Sequence, residues 1–126
     1  RKYPSSELAS LVNMEIANSF LADEKFREAI PYLNNVIKSS GQANELRPRA
    51  YLRLGIAHYN LNNNKEALNS YKKLVAEYPN SPEVEEALES ARAIYVEEGR
   101  TIEYVQLMLF TCAVIFTINE KTSGMR

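Results

Sequence analysis

The stretch from Arg49 to Pro79 constrains the fold most, because it joins two apolar patterns of helical spacing to small residues at fixed places. Gly55 follows Leu54 in the first pattern, and Ala67 lies in the second. Small residues are needed where two helices cross closely, because a larger side chain would hold them apart. Pro79 cannot extend a helix. The stretch therefore predicts two antiparallel helices that cross at Gly55 and Ala67.

The order of these residues also resembles a known repeat. The chain has Tyr51-x-x-Leu54-Gly55-x-x-His58, then Ala67-x-x-x-Tyr71, then Pro79, which resembles the tetratricopeptide repeat. Tyr51 and His58 replace the tryptophan and tyrosine that are usual in the family. The resemblance implies an all-α fold, a right-handed α-solenoid of about three helix hairpins, each built from a helix A and a helix B.

Two further copies of the hairpin are predicted on either side. Ala29 matches Ala67 at an offset of 38 residues, and Tyr95 matches His58 at an offset of 37. In the third copy Arg92 lies opposite Gly55, so we expect its helix crossing to differ or to shift by one residue. The chain is thus a single domain, residues 1–126, with repeats at about 8–44, 45–81 and 82–118 and a disordered tail at 119–126. Six helices are expected, at about 6–22, 25–39, 46–61, 64–78, 82–98 and 101–116.

Leu107–Ile118 is almost unbroken in its apolar character and allows two interpretations. It is too short to span a bilayer as a helix, so no transmembrane segment is predicted. Its β-branched and aromatic residues also suit a strand, which leaves helix and strand both open. One interpretation is a final helix B buried against the third repeat. The other is a surface that packs on another molecule, because the end of a solenoid needs a polar cap.

Composition and residue chemistry argue against an enzyme. The net charge of −1 gives no support for a nucleic-acid partner. His58 lies at a core-facing position, where a hydrogen-bonded structural role is expected. Cys112 lies in the apolar run without a basic neighbour and is interpreted as an inert packing residue. No spacing typical of a metal site is found, so the expected protein has no catalytic residues, metal or cofactor.

The resemblance implies that the A helices line a concave groove that binds a protein or peptide. The predicted partner-binding residues are Asn18, Arg49, Leu52, Arg53, Ile56, Tyr59 and Asn60. The family's clamp for a C-terminal carboxylate is disfavoured, since only Asn18 fits it by type and position. Arg49 and Arg53, one turn apart, either hold an acidic ligand side chain or pair with Glu86 and Glu89 of the next repeat.

The predicted function is therefore a non-enzymatic adaptor or scaffold. The alternative is a structural, self-associating module, a homodimer built through Leu107–Ile118. The phrase Tyr-Pro-Asn-Ser-Pro at residues 78–82 resembles repeats of bacterial envelope proteins. That resemblance implies a periplasmic or outer-membrane-associated location, which the residues themselves leave unknown.

Overall fold

The computed structural model describes the backbone of residues 5–39 and 45–124, and over these ranges it is helical without strands. Side chains are described for residues 8–39 and 45–120. The helices are α1 (Ser5–Ala22), α2 (Phe26–Lys38), α3 (Leu46–Asn60), α4 (Asn64–Glu77), α5 (Glu83–Glu97) and α6 (Thr101–Gly124). The first five begin and end within one residue of the predicted bounds. The prediction of an all-α fold is confirmed.

The helices pair as three successive hairpins, α1 with α2, α3 with α4, and α5 with α6. Helix α3 also contacts α1 on one side and α5 on the other, and α4 contacts α6. The A helices α1, α3 and α5 therefore lie side by side in one layer, which we call the A face. The B helices form the second layer, as expected for stacked repeats.

The three turns inside the hairpins share one backbone conformation. In each turn the middle residue has a positive φ: Glu24 at 61°, Asn62 at 65° and Gly99 at 70°. The next N–H donates to a carbonyl five residues earlier, which ends each A helix with a Schellman-type contact. These bonds are Lys25 to Phe20 and Asn63 to His58, both at 2.8 Å, and Arg100 to Tyr95 at 2.7 Å. Their spacing of 38 and 37 residues equals the offsets between the sequence repeats.

The closest approach in the central hairpin lies between Gly55 and the ring of Tyr71. A Cβ atom on Gly55 would lie 2.8 Å from Cδ1 and 2.7 Å from Cζ of Tyr71, and closer still to Cε1. Tyr71 is 1% exposed, so the ring has no free space into which it could move. Ala67 is fully buried nearby in sequence. Gly55 is therefore required by the Tyr71 ring, which packs directly on its backbone.

The third hairpin follows a slightly different register. Arg92, which the alignment placed opposite Gly55, is exposed, whereas its neighbour Ala91 is fully buried. Tyr95 is buried, and its ring lies 6.5 Å from that of Tyr104. A shift of one residue therefore lets a small side chain occupy the interior of this hairpin. In the first hairpin, Pro31 lies on the exposed side of α2, and the helix continues through it.

Helix α6 differs from the prediction in length. It has 24 residues, against 13 in α2 and 14 in α4, and continues to Gly124. Residues 119–124, expected to be a disordered tail, are thus helical. Thr101–Glu120 is long and apolar enough to cross a membrane by length and composition alone. The expectation that this segment is too short was wrong because it counted only Leu107–Ile118.

Most of α6 is exposed. Only 11% of Thr101–Glu120 is buried, so the final helix B packs on the third repeat along one side and exposes the rest of its surface. Leu107 and Thr111 are the fully buried side chains among its described residues, and Leu109 is 64% exposed. Two clefts lie beside α6, one of about 340 Å³ between α6, α4 and α5, and one of about 430 Å³ between α6, α5 and the loop before α5. Cys112 is exposed, so its predicted role as a packing residue was wrong.

We expect Gly55→Ala to destabilise the chain, although alanine is favoured over glycine in a helix by about 1 kcal/mol. Overpacking against the Tyr71 ring should cost ~1–3 kcal/mol. Urea unfolding would measure the difference in free energy. The control is Tyr71→Leu, in which the ring is absent, so that Gly55→Ala made in that background should become stabilising. An equal effect in both backgrounds would contradict the close contact.

Leu107 and Leu109 form a matched pair on opposite sides of α6. Leu107→Ala should lower the free energy of unfolding by about 2–5 kcal/mol, because it removes a buried side chain. Leu109→Ala should change it by less than about 0.5 kcal/mol. Denaturant unfolding at low protein concentration would test this, and equal effects would mean that α6 packs in another orientation.

Candidate protein-binding face

The predicted binding residues of α3 recur every three or four positions and therefore share one side of the helix. This side forms the centre of the A face, between α1 and α5. The predicted residues on it are Arg49, Leu52, Arg53, Ile56, Tyr59 and Asn60. Asn18 lies half-buried on α1, the neighbouring A helix.

Arg49 pairs with an acidic residue of the next repeat, as one of the two interpretations anticipated. Its Nε lies 3.6 Å from Oε2 of Glu83, a residue one turn before the expected Glu86. Ser81 holds that carboxylate in place, because its hydroxyl donates to Glu83 and accepts the Glu83 backbone N–H at 3.1 Å. Ser81 thereby fixes Glu83 at the first residue of α5.

Arg53 lies one turn further along α3 in a different environment. Its Nη1 is buried and has no hydrogen-bond partner among the described residues. Burial lowers the pKa of Arg53, and the positive charge of Arg49 lowers it further, against the attraction of Glu83 and Glu86. The guanidinium group therefore keeps donor capacity that the described part of the chain leaves unused, which is costly for a buried polar atom.

Tyr59 connects the other end of α3 to α5. Its hydroxyl donates to Oε2 of Glu97 at 3.1 Å, and this bond raises the pKa of Tyr59. Its ring is half-buried and packs against the central core. Contacts at both ends, Arg49 with Glu83 and Tyr59 with Glu97, thus hold α3 beside α5.

The remaining predicted residues contribute unequally to this surface. Leu52 is only 6% exposed and belongs to the core, so it supports the A face from beneath. Ile56 is half-buried and packs on the same core. Asn60 is exposed, and its side-chain amide donates to the backbone oxygen of Ile56 at 2.8 Å.

Two partners of this site were missed by the sequence analysis. Glu83 was not among the predicted partners of Arg49, yet the two side chains form an ion pair. Ser90 shares a hydrogen bond with the hydroxyl of Tyr71, although burial dominates and raises the pKa of Tyr71 to about 12. Glu83 could have been found from its place two residues after Ser81, since a capping serine orients the first turn of the helix.

His58 lies on the opposite side of α3, in a cleft of about 500 Å³ lined also by residues of α2 and α4. It is half-buried, and its Nδ1 has no hydrogen-bond partner among the described residues. The expectation that His58 is hydrogen-bonded is therefore not met at Nδ1. Burial lowers the pKa of His58, and the nearby carboxylate of Glu66 opposes that effect.

No group of three or more histidine, cysteine or acidic side chains could hold a metal ion within the part of the chain that the structure describes. The A face presents the half-buried Ile56 and Tyr59, the half-buried Arg53 and carboxylates along α5.

The lowered pKa of His58 predicts a dependence of stability on pH. The unfolded chain protonates His58 near its ordinary pKa of 6.5, whereas the folded chain protonates it only at lower pH. The free energy of unfolding should therefore fall as the pH falls below 6.5, because the unfolded state binds more protons there. Urea unfolding above and below pH 6.5 would measure it. His58→Gln should show a weaker decrease, and identical pH profiles would contradict the burial effect.

Comparison with protein families gives one match, to the tetratricopeptide repeat, over residues 14–82. The matched region begins in α1 and ends just before α5. Comparisons with curated proteins and with solved structures give no match.

Proposed function

The chain belongs to the tetratricopeptide repeat family, and on that premise we propose that it is a non-enzymatic adaptor that binds a protein or peptide on its A face. Tetratricopeptide repeats generally mediate protein–protein interaction. Their members are generally scaffolds without catalytic activity, in keeping with a surface that offers contact rather than chemistry.

One observation carries the proposal. On α3, the half-buried Arg53, whose buried Nη1 has no hydrogen-bond partner among the described residues, lies one turn before the half-buried Ile56, and the half-buried Tyr59 follows one turn after Ile56. A solvated helix face would have charged side chains at the latter two positions. Aromatic and arginine side chains are also enriched among the residues that dominate binding energy. This combination favours an occupied surface over an idle one.

The chemistry of the partner follows from the same three residues. An acidic side chain would supply the acceptor that Arg53 lacks, in a charge-assisted hydrogen bond. An apolar side chain next to it would cover Ile56 and the ring of Tyr59. The carboxylates of α5 would repel a second acidic group, so we propose a segment in which one acidic residue adjoins an apolar one.

We expect Arg53→Glu and Tyr59→Ala each to reduce partner capture by about tenfold or more, because residues of this kind contribute more than about 1 kcal/mol to binding. Immobilised wild-type chain and each variant would be compared for proteins retained from a lysate of the source cell. Both variants should keep the helicity of the wild type, and capture is compared well below the melting temperature, which Tyr59→Ala should lower because it removes core packing and the contact with Glu97.

Arg92→Glu is the matched control, since it makes the same change of charge at an exposed position of α5 that is not one of the predicted binding residues. It should retain every partner of the wild type. If the double variant of Arg53 and Tyr59 kept all partners at wild-type affinity, the A face would not be the binding site. The resemblance to envelope proteins stays a prediction, and cell fractionation would test it.

A second role is favoured by a separate observation. The apolar side chains of Leu109, Phe110 and Phe116 are exposed on α6. Patches of this kind mark interaction sites. Self-association through the C-terminal segment is therefore proposed beside partner binding, and α6 lies in the layer opposite the A face, so the two roles are compatible.

A further inference from the structure

Helix α6 carries two apolar stripes on opposite sides. The inner stripe, which contains Leu107 and Thr111, faces α4 and α5. The outer stripe is displaced from it by two residues, or about 200° around the helix. Its members, spaced alternately three and four residues apart, are Ile102, Val105, Leu109, Cys112 and Phe116. All five are exposed, from 48% for Val105 to 74% for Ile102 among the large side chains.

We infer that the outer stripe of α6 pairs with the outer stripe of α6 in a second copy of this chain, giving a closed two-fold dimer. This inference rests on the second proposed role, self-association, and names the residues that make the contact. It moves the interface away from the full Leu107–Ile118 segment, because the inner half of that segment is already used within the hairpin.

The spacing of the stripe identifies a helix as its partner. Alternation of three and four residues repeats every seven, so that Ile102, Leu109 and Phe116 lie one above another along the helix. This is the geometry of side chains that interlock with a second helix at a shallow crossing angle. The stripe spans about 15 residues, or ~22 Å, which matches a contact between two helices of ordinary length.

Charge supports a second copy rather than an unrelated helix. Between Thr101 and Glu120 the charged residues are Glu103 and Glu120, both outside the stripe. Glu103 is paired with Arg100 at 2.6 Å. Two copies can therefore bring their stripes together without facing like charges, and a two-fold contact needs only one self-complementary surface.

The length of α6 also supports pairing with a second copy of the chain. Its hairpin partner α5 has 15 residues, whereas α6 has 24, so α5 cannot cover its full length. The excess is unnecessary for packing within one hairpin, as the shorter helices α2 and α4 show. A second α6 of equal length would cover it.

A membrane is the less favoured occupant of this helix, although Thr101–Glu120 is long enough to span one. Crossing a bilayer would require α6 to leave α5, which would expose the buried surface around Leu107 and Thr111. It would also separate the rings of Tyr95 and Tyr104, which lie 6.5 Å apart. Pairing through the outer stripe leaves all of these contacts intact.

Sedimentation equilibrium over a range of concentrations tests the inference on the full chain. The wild type should change from monomer to dimer and stop at two copies. Leu109→Ser and Phe116→Ser should remain monomeric, with helicity and melting behaviour showing that they are folded. Val12→Ser alters an equally exposed apolar residue on α1 and should dimerise like the wild type.

Cys112 gives an independent readout, because the only cysteine of the chain lies on the outer stripe. A soluble thiol reagent should modify it at least about tenfold more slowly in the wild-type dimer than in Leu109→Ser at the same concentration. In dilute wild type the two rates should agree.

Three results would overturn the inference in distinguishable ways. A wild type that stays monomeric at every concentration would remove self-association as well. A dimer that persists in Leu109→Ser with fast Cys112 modification would retain self-association but place it elsewhere. A monomer that co-sediments with phosphatidylcholine vesicles, and loses this in Leu109→Ser, would assign the stripe to a lipid surface.

Discussion

The contact between the backbone of Gly55 and the ring of Tyr71 is the constraint on which the rest of the structure depends. The ring fills the space that a Cβ atom would take, so it packs directly on the backbone of α3. The same ring carries its hydroxyl toward α5, where it shares a hydrogen bond with Ser90. One side chain therefore sets both the packing inside the central hairpin and its position on the next one.

The A face inherits its geometry from this arrangement. Because α5 is fixed relative to α3, Glu83 and Glu97 come within reach of Arg49 and Tyr59 at the two ends of α3. Arg53 lies between these pairs with its buried nitrogen unpartnered. The surface thus has paired polar groups at its ends, and in its middle the half-buried Arg53 lies beside the apolar Ile56. Such an arrangement excludes water from the centre of a contact while its rim stays solvated.

Much of the fold could be predicted because small residues and proline, at this spacing, are compatible with few arrangements of helices. Gly55, Ala67 and Pro79 located the hairpin, and the offsets located its copies. The partner of Arg49 could not be predicted, because pairing across repeats depends on how α5 lies beside α3, which the pattern of neither helix defines. The length of α6 could not be predicted for a different reason. A nearly continuous apolar run has little periodicity, so neither its exposed side nor its end at Gly124 is visible in the pattern.

The three turns look alike but differ in energy. A left-handed backbone costs glycine little, asparagine somewhat more, and glutamate about 1 kcal/mol or more. Gly99 and Asn62 therefore suit their turns, whereas Glu24 strains the one between α1 and α2. Among the described A helices, α1 contacts α3, whereas α3 contacts both α1 and α5. Amide hydrogens of α1 should thus exchange with solvent first, through a local opening that leaves α3 to α5 folded. Along this array, protection would rise from the first hairpin toward the Tyr71 contact at its centre.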